Sequence, residues 1–196
     1  MQKQVLEKLI ETNDGILQVC EATKLGISAP TVYKFAKTHG LKRLSKGVYG
    51  DPNGWNDEMW LASIRWPRAV FSHHSALYIH ALTDREPAAL TVTVPSGYNA
   101  STLRVSGARA FYIKPELLEM GKTVVTTPDG HNVPCYDLER TMCDIIRSRA
   151  AFDTQCFTSA LQSYARRGDK QLGLLSSYAD RLGVRGTVTH YLEILL

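Results

Sequence analysis

At 196 residues, with 44% hydrophobic and 21% charged side chains, the chain has room for one ordinary domain, or for a small one followed by a medium one, and either would bury a workable core. No apolar run approaches the ~20 residues of a membrane span, and the charges in "MQKQVLEKLIETNDG" are unlike a signal peptide, so a cytoplasmic protein is expected. The net charge of +4 belongs to the first quarter: residues 1–50 hold eight Lys/Arg against four Asp/Glu, and residues 51–196 hold fifteen of each.

In chain order, "VLEKLI" places Val5, Leu6, Leu9 and Ile10 on one face of a first helix that "TNDG" ends. Asp14 is expected to cap a second helix with Ile16, Leu17 and Cys20 inward and Gly26 as its stop, and Ser28 to cap a third with Pro30 in its first turn. "LKRL" and "GVYG" flank Ser45 and Lys46 as a hairpin, so residues 1–52 have the layout of a winged helix-turn-helix. "DPNGWND", Asp51 to Asp57, reads as a linker. Beyond it, residues 57–196 read as a mixed α/β domain, which makes the chain α+β. Its helices are expected at "DEMWLASIRW" and from Ser72, its strands at "ALTVTVP", "TLRVSG", "FYIK", "KTVVTT" and "NVPCY", and a closing run of three or four helices has caps at Asp137, Asp153 and Asp169. The four cysteines form no C-x-x-C pair and are expected to be reduced and mostly buried.

The third helix carries the first chemistry. Val32, Phe35 and Ala36 share one side at helical spacing, which leaves Thr31, Lys34, Lys37 and Thr38 on the other with Tyr33 at its edge. From Ala22 to Gly50 there are six basic residues and no acid. Lysine ammonium and threonine hydroxyl groups on a helix suit phosphates and the major groove, and Lys42, Arg43 and Lys46 on the hairpin would lie along the adjacent backbone or minor groove of a DNA duplex.

The stretch "FSHHSALYIHALTDREP" raises a second question, because His73, His74, His80 and Asp84 resemble the makings of a metal or catalytic site. His73 and His80 are two helical turns apart, about 10.5 Å of rise, and positions 77 and 78 are leucine and tyrosine, so one helix does not offer ligands at i and i+3 or i+4. The structural alternative has Ser72 capping and Ala76, Leu77, Ile79 and Ala81 packing. "DLERTMCDIIRSR" offers Asp137, Glu139 and Asp144 without the lysine spacing of a restriction-type nuclease. No phosphate loop, G-x-S-x-G or H-E-x-x-H occurs, so no enzyme, cofactor or metal is expected.

"GVYG", "FSHHSALYIHALTDREP", "TVTVPSGYN", "TPDG" and "VPCYDLERTMCDIIRSR" together resemble the AbiEi-type antitoxins of bacterial type IV toxin-antitoxin systems, over nearly the whole chain. The resemblance implies a winged helix that binds inverted repeats upstream of a bicistronic operon and represses it, and a second domain that opposes a nucleotidyltransferase toxin. It implies groove contacts from Thr31, Tyr33, Lys34, Lys37 and Thr38 and wing contacts from Lys42, Arg43 and Lys46. No family motif marks toxin neutralisation. On chemistry alone Arg140, Arg147, Arg149, Arg166 and Arg167 are candidates for a basic face, against the alternative of ordinary helix charges paired with Glu139, Asp144 and Asp169. A one-component repressor with a ligand-binding second domain, and a nuclease-like enzyme, are the alternatives.

Overall fold

The computed structural model describes residues 2–51 and 57–195. The linker expected at Asp51 to Asp57 lies, apart from its two end residues, outside the described residues. The chain packs as two compact units, Met1–Leu61 and Ala62–Leu196.

The first unit holds helices α1 (Gln2–Thr12), α2 (Val19–Lys24) and α3 (Ala29–Thr38) and strands β1 (Leu17–Gln18), β2 (Lys42–Ser45) and β3 (Val48–Gly50). β3 lies between β1 and β2, antiparallel to both. Leu6, Leu17, Ala22, Ile27, Val32 and Phe35 form the core. The second helix starts later than the sequence suggests. Asp14 takes a left-handed turn (φ 47°) ahead of Gly15, and Leu17 enters a strand because β3 offers it backbone partners at Tyr49. Cys20 is consequently exposed. Ser28 occupies the cap position of α3, but its hydroxyl meets the Thr31 hydroxyl (2.8 Å) and not a backbone N–H.

The division between the units falls within α4 (Glu58–Arg65). The second unit then has β4 (Val70–Phe71), α5 (His73–Ile79), β5 (Thr91–Pro95), α6 (Ser101–Val105), β6 (Arg109–Ile113), β7 (Lys122–Thr126), β8 (Asn132–Tyr136), α7 (Leu138–Arg147), α8 (Thr154–Arg166), α9 (Leu172–Leu182) and α10 (Arg185–Leu195). Its mixed sheet runs β6-β5-β4-β8-β7, with β5–β6 and β4–β8 parallel and β4–β5 and β7–β8 antiparallel. α7 is the central helix: Met142, Cys143, Ile145 and Ile146 pack with Phe157, Leu161, Leu175 and Ala179 from the helices that follow. The architecture is α+β throughout, a winged helix-turn-helix followed by a mixed α/β unit that ends in helices.

Three expected details differ. "TLRVSG" is helix and not strand, since Asn99 Oδ1 accepts from the Ser101 N–H (3.0 Å) and the turn that follows buries Leu103 while leaving Val105 outside. Asp169 caps nothing; Arg167 takes both its oxygens at 2.7 Å. Ala81 is exposed with φ 53°, and Leu82 packs in its place.

Candidate nucleic-acid interface

Helix α3 forms because its apolar residues recur on one face and because Pro30, at its first turn, is preset for helix and lacks only an N–H that has no helical partner there. His39 ends it, stacked on Phe35 at 3.9 Å with Nδ1 2.9 Å from the Phe35 carbonyl oxygen, and Gly40 (φ 70°) turns the chain out. Val32, Phe35 and Ala36 are buried, so Tyr33, Lys34, Lys37 and Thr38 are held outward and Thr31 is half-buried.

The wing is built around Lys46 and Gly47, the two-residue turn between paired Ser45 and Val48; Gly47 takes φ 73° and Lys46 stands at the tip. An irregularity in register between Arg43 and Ser45 bends the strand. Lys42, Arg43 and Lys46 are exposed, and Arg43 lies along the wing with Nε donating to the Ser45 carbonyl (3.2 Å). Gly50 lies where the wing closes, and a Cβ there would fall 2.6 Å from Ile16 Cδ1 and 2.7 Å from Leu44 Cδ1, so those two side-chain ends would have to shift.

All eight residues singled out for DNA contact therefore fall on α3 and the wing of one unit. Both threonines have reduced hydrogen-bonding capacity: the Thr38 hydroxyl donates to the Lys34 carbonyl (2.8 Å) and that of Thr31 is engaged with Ser28. Tyr49, which sequence reasoning missed, joins this surface. Its ring lies 5.9 Å from that of Tyr33, so α3 and the wing share an aromatic contact. The signal was "GVYG", where the tyrosine alternates with buried Val48 and Gly50.

The histidine stretch is a packed polar cluster. His73 is fully buried in a left-handed conformation (φ 52°), stacked on Phe111 at 3.4 Å, with Nδ1 2.9 Å from Ser72 Oγ and Nε2 3.1 Å from Ser148 Oγ. Burial, reinforced by Arg147, holds its pKa well below 6.5, so the ring is neutral between two hydroxyls that can each give or take a proton. Ser72 does not cap α5 with its side chain; Thr93 donates to it (2.8 Å), and the Ser75 N–H is capped from β5 by Thr91 Oγ1 (2.8 Å). His74 stacks on Phe152 at 4.0 Å and His80 Nε2 meets the Tyr136 carbonyl at 2.7 Å; burial lowers the pKa of both. Among the described residues no group of three or more His, Cys, Asp or Glu is placed to hold a metal ion.

The proposed basic face needs correction at Arg140, which is fully buried. Its Nε pairs with Asp144 Oδ2 (3.1 Å), Nη1 donates to the carbonyls of Leu117 (2.9 Å) and Met120 (2.7 Å), and the guanidinium lies over Tyr136. Arg149 is committed to Phe152 O and Thr154 Oγ1 and lies 4.4 Å over Phe157, and Arg167 to Asp169 and the His80 carbonyl. Arg147 and Arg166 are exposed. Asp137 does cap α7, accepting from the Arg140 N–H at 2.7 Å and from Tyr178 at 3.0 Å.

These features define a winged helix-turn-helix protein with a second α+β unit. No protein-family model and no curated protein matches the chain. Among solved structures it is similar to the Rv2827c protein from Mycobacterium tuberculosis, with a TM-score of 0.51 and 14% identity over 96% of this chain and 79% of that one. At that identity the similarity is one of fold. Among the described residues no helix is long and apolar enough to cross a membrane.

Proposed function

We propose that this chain is a DNA-binding transcriptional autorepressor that serves as the antitoxin of a type IV toxin-antitoxin pair, with no cofactor and no catalysis of its own. The observation that carries the DNA-binding part is the outward face of α3, with Tyr33, Lys34 and Lys37 exposed beside the Lys42–Arg43–Lys46 wing in a segment free of acids from Ala22 to Gly50. The operator is double-stranded DNA with inverted repeats ahead of the chain's own operon. The antitoxin part rests on the motif resemblance, and its functional partner is a nucleotidyltransferase-like toxin encoded next to it.

Replacing Lys34 and Lys37 with alanine tests the first part. Binding to the chain's own promoter should weaken, and the slope of log K against log salt should flatten by about one unit for each phosphate that is no longer neutralised. A double variant that shifts the promoter fragment like the parent across the salt series removes α3 as the reader. Growth on co-expression with the neighbouring toxin tests the second part, and the operator-blind variant separates direct protection from repression of the toxin gene.

One observation favours a second reading, a repressor whose second unit takes a small ligand. His74, Arg85, Glu86, Asp153 and Cys156 line a cleft of about 150 Å³ in that unit. A metabolite that releases the promoter in a purified system would establish it, and Arg85→Ala should abolish that release.

A further inference from the structure

β7 is an outer strand of the five-stranded sheet, and its mid-section is unguarded. Thr123, Val124 and Thr126 are exposed, Val124 to 66%, and the strand has no acid, no proline and one charge, Lys122, whose ammonium is held by Glu119 at 3.0 Å. Outer strands in monomeric proteins are commonly blunted by central charges, prolines or bulges, because their open N–H and C=O groups otherwise accept another strand. The hairpin register fixes which groups are open. Thr127 N donates to His131 O and Asp137 N donates to Gly121 O, so odd-numbered residues from 121 to 127 turn their backbone groups toward β8. Val124 and Thr126 turn both of theirs to the open side, and Lys122 its carbonyl, its N–H being given to the Glu119 carbonyl at 3.3 Å.

We propose that β7 is a pairing edge for a second copy of this chain, with two β7 strands antiparallel about a twofold axis at Val124. The strand is self-complementary in that register. Val124 faces Val124 of the second copy and the two exchange both backbone hydrogen bonds, while each Thr126 N–H meets the Lys122 carbonyl of the other copy. The register overlaps the whole strand, brings the two exposed Val124 side chains together on one face, and sets Lys122 opposite Thr126. A register centred on Lys122 would instead put like charges across from each other. The contact is isologous and closes at two copies. It is independent of DNA binding.

The test uses the full chain in sedimentation velocity at ~100 µM, where association weaker than micromolar is still populated. The parent is expected as a dimer. Val124→Pro removes only an N–H on the open side and Val124→Lys sets two ammonium groups together, so both should sediment as monomers, whereas the β-branched Val124→Thr should remain a dimer. A second measurement does not depend on those variants folding. In a Cys20→Ser background, Val124→Cys should form an intermolecular disulfide on mild oxidation, because directly opposed residues lie ~4.5–5.5 Å apart, within disulfide range. Thr126→Cys should not, since the two Thr126 residues are offset along the strands. A monomeric parent, a dimer indifferent to Val124→Pro and Val124→Lys, or cross-linking as ready through Thr126→Cys as through Val124→Cys would each overturn the proposal.

Discussion

Arg140→Ala should unfold the second unit far more readily than its position near the start of a helix suggests. The substitution leaves Asp144, 1% exposed, without the Nε–H that pairs with it, and leaves the Leu117 and Met120 carbonyls without their donor. A buried unpaired carboxylate escapes by taking up a proton, and that sets a ceiling on the charge penalty. Neutralising a carboxyl of ordinary pKa ~3.9 at pH 7 costs about 4 kcal/mol, at ~1.4 kcal/mol per pH unit. The abandoned carbonyls add roughly 1–3 kcal/mol, less whatever water enters the space. A total of up to about 5–7 kcal/mol is a large share of the ~5–15 kcal/mol that holds a domain. The sign of the pH dependence follows. Burial already raises the Asp144 carboxyl in the parent against the pull of Arg140, and losing the guanidinium raises it further, so the penalty grows as pH rises above the parent's folded value and shrinks as pH falls. Urea titrations of parent and variant at pH 7.0 and 5.5 check both parts, with Trp55 and Trp60 replaced by phenylalanine so that buried Trp66 alone reports on the second unit. The penalty should fall by up to about 2 kcal/mol between the two pH values, at most ~1.4 kcal/mol per unit. A variant within ~1 kcal/mol of the parent at pH 7, as surface substitutions usually are, or one with equal penalties at both pH values, would refute the reasoning.

Arg140→Met combined with Asp144→Leu should recover much of the stability lost in Arg140→Ala, because no buried charge is left unpaired, although the Leu117 and Met120 carbonyls still lack a donor; urea midpoints of the double and single variants decide it. Gly121→Ala should destabilise the same unit by more than ~1 kcal/mol, since Gly121 has φ 74° and its Cβ would fall 2.6 Å from Arg140 Cβ; an unchanged melting temperature would contradict this close approach. His73 has a folded pKa below its unfolded value near 6.5, so the stability it contributes is present above pH 6.5 and is lost as pH falls below it, by up to ~1.4 kcal/mol per unit until the folded pKa is reached. His73→Gln should flatten that acid limb of the stability curve, and a difference in unfolding free energy between parent and variant that is the same at pH 7.5 and 5.5 would contradict the burial of a neutral ring.

What the sequence revealed depended on whether the deciding interaction was local. The outward face of α3 was legible because Val32, Phe35 and Ala36 repeat at helical spacing, and the caps at Asp137 and Asp153 because each bonds an N–H three residues on. "TVTVP" was legible as a strand from its β-branched alternation. "TLRVSG" looked the same, but Leu103 and Val105 would share a strand face, and the packing accepts only the leucine. β1 has two residues, too few for any period, and exists because β3 supplies its partners. Asp169 lost its expected cap to a distant competitor: the Gln171 N–H goes to Glu139, 32 residues earlier. Arg140 read as surface because a long charged side chain usually is.

The serine-histidine stretch shows why a constellation of catalytic residue types can be structural. Each group in it that would be costly to bury is answered from another element: Thr91 and Thr93 on β5 reach Ser72 and Ser75, Ser148 at the end of α7 reaches His73, and the Tyr136 carbonyl at the end of β8 reaches His80. Such bonds are worth only ~0.5–1.5 kcal/mol each when made, but leaving a buried group unmet costs ~1–3 kcal/mol. The network therefore contributes little net stability and penalises any packing of α5 other than the one observed. The left-handed backbone at His73 fits this account: a conformation that costs ~1–3 kcal/mol persists only where the surroundings over-determine it, and here two hydroxyls and the Phe111 ring hold the imidazole. A hydrolytic or metal site requires a group free to meet water, substrate or ion. His73 has both ring nitrogens committed and no exposed surface, so a role in turnover would have to begin by breaking the clasp that fixes α5 to the sheet.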